Sequence, residues 1–182
     1  MKTFLAILAL SFTFITPQVM ASDVYVRANV GMPQITVPSA FTGASQPSKT
    51  NEYGRYALGY RFNSPFAIEL GYTESISQSF KGSSGPTYTL KSEPALDVSV
   101  LGYVWEGLYA KIGISDGKTT LTNSSSTYKQ EKTGTTPVFG VGYDYNVFKY
   151  TDVNIEYINM PNYGGFSDQN IQAVSLGIKV KY

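Results

Sequence analysis

Nearly every strand-like segment of this 182-residue chain has two unlike faces, and that alternation limits the folds open to it. Successive residues of a strand point to opposite sides, so the two sides can be read separately. In 52–62, Tyr56, Leu58, Tyr60 and Phe62 share one side, while Tyr53, Arg55, Ala57, Gly59 and Arg61 share the other. In 66–76, Phe66, Ile68, Leu70 and Tyr72 oppose Ala67, Glu69, Gly71 and Thr73. The same contrast sets Leu108, Ala110, Ile112 and Ile114 against Tyr109, Lys111, Gly113 and Ser115, and Phe139, Val141, Tyr143 and Tyr145 against Gly140, Gly142 and Asp144. One face is bulky and apolar; the other is small, glycine-rich and charged. Strands are predicted near 23–31, 52–62, 66–76, 94–105, 108–116, 136–146, 151–160 and 170–182, with no helical period anywhere.

The connections alternate in length. Asn63-Ser64-Pro65, Glu106-Gly107 and roughly 147–150 are short, whereas 32–51, 77–93, 117–135 and 161–169 are long and rich in Ser, Thr, Gly, Pro and Asn. Those four are predicted as surface loops. Short turns at one end and long loops at the other suit a barrel in an outer membrane; a soluble sandwich has no reason to segregate its loops.

Two barrels remain: a soluble one of the lipocalin kind with the apolar face inside, or a membrane barrel with that face against lipid. Size favours the second, because eight strands enclose only enough room for side chains to fill. Charge agrees: an Arg or Lys facing lipid near midplane costs about 2–4 kcal/mol. The prediction is an all-β, eight-stranded, antiparallel up-and-down transmembrane β-barrel. The fourth strand fits least well, since Leu101, Tyr103 and Trp105 lie on its polar side; a bulge or an interfacial end is expected there.

Lys2, the apolar run Phe4–Ile15 and Val19-Met20-Ala21 read as a signal peptide. The run is too short to span a membrane as a helix. The expected layout is signal peptide 1–21 and barrel 22–182, exported to the outer membrane of a Gram-negative cell. Cysteine is absent, which excludes disulfides and thiolate metal sites. A net charge of +1 gives no reason to expect a nucleic-acid partner.

Leu58-Gly59-Tyr60-Arg61-Phe62 with Phe66-Ala67-Ile68-Glu69-Leu70-Gly71-Tyr72 resembles the second-to-third strand hairpin of the OmpA-like and OmpX-like small outer-membrane barrels. Leu108-Tyr109-Ala110-Lys111-Ile112-Gly113 resembles their fifth strand. Val174, Leu176, Ile178, Val180 and Tyr182 resemble the C-terminal signal read by the barrel-assembly machinery, with Tyr where Phe or Trp is usual. The resemblance implies outer-membrane lipid and lipopolysaccharide as surroundings, and that machinery with periplasmic chaperones as partners in biogenesis. The peptidoglycan-binding domain of some members is expected to be absent.

There is no histidine. Small enzymatic barrels typically need one as a base near neutral pH, so lipid-modifying chemistry is the least expected function. No catalytic residue, cofactor site or metal site is expected, and no EF-hand-like spacing occurs. Gly140-Val141-Gly142 sits inside a strand with no helix following and reads as lumen packing, not as a phosphate loop. The residues that stand out are Arg27, Arg55, Glu69, Asp97, Lys111, Asp144, Glu156 and Lys179, four bases and four acids on lumen-facing positions. Arg55 and Asp97 belong nearer the outer end, the others lower and midway. Buried charges must be paired. The set fits a structural plug, or a narrow gated pore if the pairs rearrange. In the loops, Lys49, Lys81, Lys91, Lys118, Lys129 and Lys132 outnumber Glu52 and Glu131, a basic excess that suits lipopolysaccharide or a host-surface polyanion. The expected function is therefore non-enzymatic, contributing to envelope structure and to adhesion, with a small-solute pore as the alternative.

Overall fold

The computed structural model describes residues 24–36, 44–45, 52–62, 65–82, 87–123, 129–166 and 169–182. The signal-peptide segment lies outside them. The strands are β1 (Val24–Ile35), β2 (Ala44–Ser45), β3 (Tyr53–Arg61), β4 (Phe66–Thr73), β5 (Ser77–Gly82), β6 (Thr87–Ser92), β7 (Ala95–Tyr103), β8 (Leu108–Asn123), β9 (Lys129–Phe148), β10 (Thr151–Met160) and β11 (Ile171–Lys181). Eight of them close a barrel in the order β8-β7-β4-β3-β1-β11-β10-β9, with β9 returning to β8, and every pairing is antiparallel. Closure leaves these strands no free edge at membrane depth, where unpaired backbone groups have no water to bond.

The side-chain period places the apolar face outside. Leu58, Ile68, Leu70, Val98, Ile112, Ile114, Val141, Ile155, Leu176 and Ile178 are exposed around the wall. Arg27, Glu69, Lys111 and Glu156 are buried within it. In water this arrangement would leave a broad apolar belt unburied; against lipid it is the favourable one. Trp105, Phe148, Tyr150 and Phe62 cluster at the short-turn end, where aromatic rings suit a membrane interface.

Two predictions are corrected. No bulge interrupts β7: its register with β4 and β8 runs unbroken. Leu101 and Tyr103 instead point into the lumen, where they form a small cluster with Tyr25, Ala67 and Tyr109. Trp105 lies beyond the strand, 77% exposed. The irregularity falls elsewhere, between Thr151 and Asp152 where β10 meets β9.

The second correction concerns 77–93 and 117–135, predicted as loops. They are largely strand. β8 and β9, at 16 and 20 residues, exceed the roughly 9–11 that cross a bilayer, and they pair far beyond the barrel wall. β5 and β6 form a hairpin whose β6 joins the extension of β8, and β2 pairs with the edge of β5. Threonine, abundant here, is β-branched and favours strands as readily as turns. On the inner side of this sheet Phe80, Leu90 and Leu121 join Ile35, Tyr53, Ile76, Val138, Ile158, Tyr163, Phe166 and Ile171 in a second hydrophobic core. The interior thus has two levels: charged and tyrosine-rich toward the short turns, apolar toward the long connections. The expectation of a small, glycine-rich and charged interior holds for the first level, where Leu101 and tyrosines join the charges, and not for the second.

Candidate functional site

All eight lumen residues singled out in the sequence are buried, and the structure brings them into one network. Arg27 enters from β1. Its Nε lies 3.1 Å from Glu69 of β4, its Nη2 3.3 Å from Asp144 of β9, and its Nη1 3.7 Å from Glu156 of β10. Lys111 of β8 bridges Glu69 at 2.9 Å and Glu156 at 2.5 Å. Arg55 of β3 grips Asp97 of β7, with Nη2 2.8 Å from Oδ2, and reaches toward Glu69 and Glu156 at 3.4 and 3.8 Å. Lys179 of β11 pairs with Asp144 at 2.5 Å.

Two charged residues escaped the sequence reading. Asp152 of β10 accepts from Lys179 at 3.0 Å and from Lys181 at 2.7 Å. Both lie on the inward parity of their strands, and that parity was the signal available. With them the described lumen holds five bases, Arg27, Arg55, Lys111, Lys179 and Lys181, facing five acids, Glu69, Asp97, Asp144, Asp152 and Glu156.

Tyrosines complete the network, and these too were not singled out as site residues. Tyr25 donates to Glu69 at 3.0 Å, Tyr103 to Asp144 at 3.0 Å and Tyr109 to Glu156 at 2.8 Å, so three of the five carboxylates each receive a phenol. Arg27 also donates to the Tyr109 oxygen, and its guanidinium lies over the Tyr109 ring, 4.8 Å from the centroid. The phenols supply donors to carboxylate lone pairs that the bases leave unfilled, which a buried charge requires. They need close backbone to fit. A Cβ on Gly142 would collide with the Tyr109 hydroxyl, and one on Gly59 with the Tyr25 ring. Gly59 and Gly142 therefore leave the space that Tyr25 and Tyr109 occupy. Above this layer, Asn29 donates to Asn154 at 2.7 Å and to Ser175 at 3.2 Å, the transition to the apolar level.

The lumen carboxylates are committed to bases, and no group of three or more His, Cys, Asp or Glu side chains that could hold a metal occurs among the described residues. The arrangement cross-links strands on all sides of the barrel.

On the long-connection side the surface is polar. Lys118 bridges Glu93 at 3.1 Å and Glu131 at 3.4 Å, and Lys129 meets Glu131 at 2.5 Å. The Lys129 and Lys118 amines hold the exposed Glu131 carboxyl below its usual range, and hydrogen bonding to Glu93 raises the Lys118 amine. Lys91 is exposed beside them, and Lys132 lies over the Phe166 ring at 4.7 Å.

The family model described as the outer membrane protein beta-barrel domain matches residues 4–182. The chain is an outer-membrane β-barrel protein of that family. Solved structures share its fold at low identity. Ail, the attachment invasion locus protein of Yersinia pestis, solved in complex with the heparin analogue sucrose octasulfate, is 13% identical with a TM-score of 0.61, covering 90% of this chain and 100% of that one. Neisserial surface protein A is 16% identical, with a TM-score of 0.55 over 90% and 99% of the two chains. OprG of Pseudomonas aeruginosa is 14% identical, with a TM-score of 0.52 over 89% and 96%. No curated protein matches the sequence significantly. In the family layout the short turns face the periplasm, so β2, the β5–β6 hairpin and the extensions of β8 and β9 stand outside the cell.

Val174, Leu176 and Ile178 of β11 face outward, Val180 is half-buried, and Tyr182, 37% exposed, donates its backbone N–H to Val24 at 3.0 Å, tying the C-terminal end to the start of β1.

Proposed function

We propose that this outer-membrane protein acts without catalysis, as a closed structural element of the envelope whose external sheet mediates surface adhesion. The network of ten paired charges carries the first half of the reading. A solute crossing the lumen would have to part several ion pairs at once, and separating a buried pair leaves charge uncompensated at a cost of about 3–5 kcal/mol. The lack of histidine supports the absence of lipid-modifying or proteolytic chemistry.

The adhesive half rests on the external sheet. A surface held by its own apolar core keeps its side chains in register, which lowers the ordering cost of binding. Lys91, Lys118 and Lys129 are displayed on it, though Glu93 and Glu131 partly offset them. Ail, which shares the fold, was solved with a sulfated heparin analogue, and a polyanion is the ligand we expect here. Outer-membrane lipid and lipopolysaccharide surround the wall, the C-terminal residues Val174, Leu176, Ile178, Val180 and Tyr182 are read by the assembly machinery with periplasmic chaperones, and residues 1–21 direct export.

Purified protein in a planar bilayer tests the plug: no steady conductance is expected, and a large stable channel overturns it in favour of the small-solute pore. Immobilised heparin tests the adhesive half. Retention that falls with salt and is lost in a Lys91→Glu/Lys118→Glu/Lys129→Glu variant supports it, and passage without retention at low salt removes it.

A further inference from the structure

Pro161–Phe166 folds inward over the outer core instead of outward into solvent. Tyr163 is 2% exposed and Phe166 6%. The turn needs left-handed backbone at Asn162 (φ 55°), Gly164 (φ 62°) and Gly165 (φ 79°). Gly164 presses onto Thr119 so closely that a Cβ there would overlap its hydroxyl, and the Tyr163 ring fills the space beside Gly117. Four hydrogen bonds hold the segment: Thr136 donates to the Pro161 carbonyl, Tyr163 N–H to the Gln169 carbonyl at 2.9 Å, Gln169 N–H to the Phe166 carbonyl at 3.1 Å, and Asn162 N–H to Asn170 Oδ1 at 3.3 Å.

The core that Tyr163 and Phe166 join with Phe80, Leu90 and Leu121 has polar groups at its margin. Gln78 and Ser92 of the β5–β6 hairpin, Thr119 of β8, and Gln169 are all buried. Yet Gln78 Oε1, Ser92 Oγ, Thr119 Oγ1 and both amide atoms of Gln169 have no hydrogen-bond partner among the described residues. The register places the first three together: Ser92 lies opposite Thr119, Gln78 opposite Leu90, and Leu90 opposite Leu121; Gln169 is tied to the strap itself through Tyr163 and Phe166. Each orphaned polar atom disfavours the closed state. A mostly apolar surface with a few convergent hydrogen-bonding groups is the usual make-up of a small-molecule site.

We propose that Pro161–Phe166 is a displaceable strap occupying a latent site on the inner face of β5, β6 and β8, and that the site takes a small amphipathic molecule with an apolar body and an amide or hydroxyl head. Phe80, Leu90 and Leu121 would receive the body, and Gln78, Ser92, Thr119 and Gln169 the head.

The cysteine-free chain permits a direct test with Leu121→Cys in proteoliposomes and a water-soluble maleimide. Labelling is expected without denaturant, and at least tenfold faster when Tyr163→Ala is added. Gly164→Ala, strained at its φ and against Thr119, should accelerate it likewise; heat-modifiable gel migration shows which variant has folded. Equal rates with and without the strap substitutions would overturn the strap. Hexanamide, with an alkyl body and an amide head, is then added to the Leu121→Cys/Tyr163→Ala protein. At least threefold protection from labelling is expected; no protection at millimolar hexanamide would overturn the site while leaving the strap standing.

Discussion

Arg55 and Asp97 meet side by side over Gly71 of the intervening strand β4, with Nη2 2.8 Å from Oδ2 and Nε 3.2 Å from Oδ1 of the same carboxylate. This two-pronged geometry fixes both partners, and Ser99 adds a third hydrogen bond to Asp97 at 2.9 Å. Asp97→Ala would leave Arg55 with only its longer approaches to Glu69 and Glu156. A loss of about 3–5 kcal/mol is expected in denaturant unfolding in lipid vesicles. Arg55→Leu/Asp97→Leu should lose clearly less than the sum of its single variants, since no buried charge is then orphaned.

Glycine tolerance should follow what each position faces. At Gly142, a Cβ would strike the Tyr109 hydroxyl and the Ile155 carbonyl, whereas at Gly102 it would meet only the Phe66 ring at 3.7 Å. Gly142→Val should therefore sharply reduce the yield of folded, SDS-resistant barrel. Gly102→Ala should leave that yield unchanged.

Leu176 and Thr120 are both on outward positions, but at different heights. Leu176→Arg puts a charge against the lipid tails, costing about 2–4 kcal/mol near midplane. Thr120, on the external extension of β8, already has water beside it. Assembly into vesicles should be impaired by Leu176→Arg and unaffected by Thr120→Arg.

Glu131 offers a check outside the membrane. Hydrogen bonding to Lys129 and the charge of Lys118 favour its ionised form. Folding lowers its proton affinity, so these pairings are present above the free-carboxylate range and are lost as pH falls through the lowered midpoint. NMR titration should give Glu131 a midpoint below that of an unpaired Glu. Lys118→Ala/Lys129→Ala should return it to the ordinary value; an unchanged midpoint would separate the pairs from the shift.

The barrel was legible because parity is unforgiving: a one-residue slip would turn Arg27 or Lys111 toward lipid. The same parity put the eight lumen charges on inward positions. It did not reveal how deeply tyrosine takes part, because Tyr25, Tyr103 and Tyr109 suit either side of a membrane strand, and only the glycines opposite Tyr25 and Tyr109 mark where a ring fits. The external sheet was hidden by composition. Ser, Thr and Gly in 77–93 and 117–135 suggested loops, although Ile76, Gln78 and Phe80, and then Thr119 and Leu121, already carry the inward period. The inward fold of Tyr163 had no local signal; it depends on a β8–β9 extension that the loop reading had removed.

Phe80, Leu90 and Leu121 end up outside the cell, yet they must get there across the bilayer from the periplasm. Their hairpins carry hydroxyls on the opposite side, so each can travel as a two-sided ribbon that neither dissolves in the tails nor sticks in the headgroups. The exterior dome rises from β8 and β9, which also pair within the wall, so damage to the dome should leave a finished barrel beneath an unfinished roof.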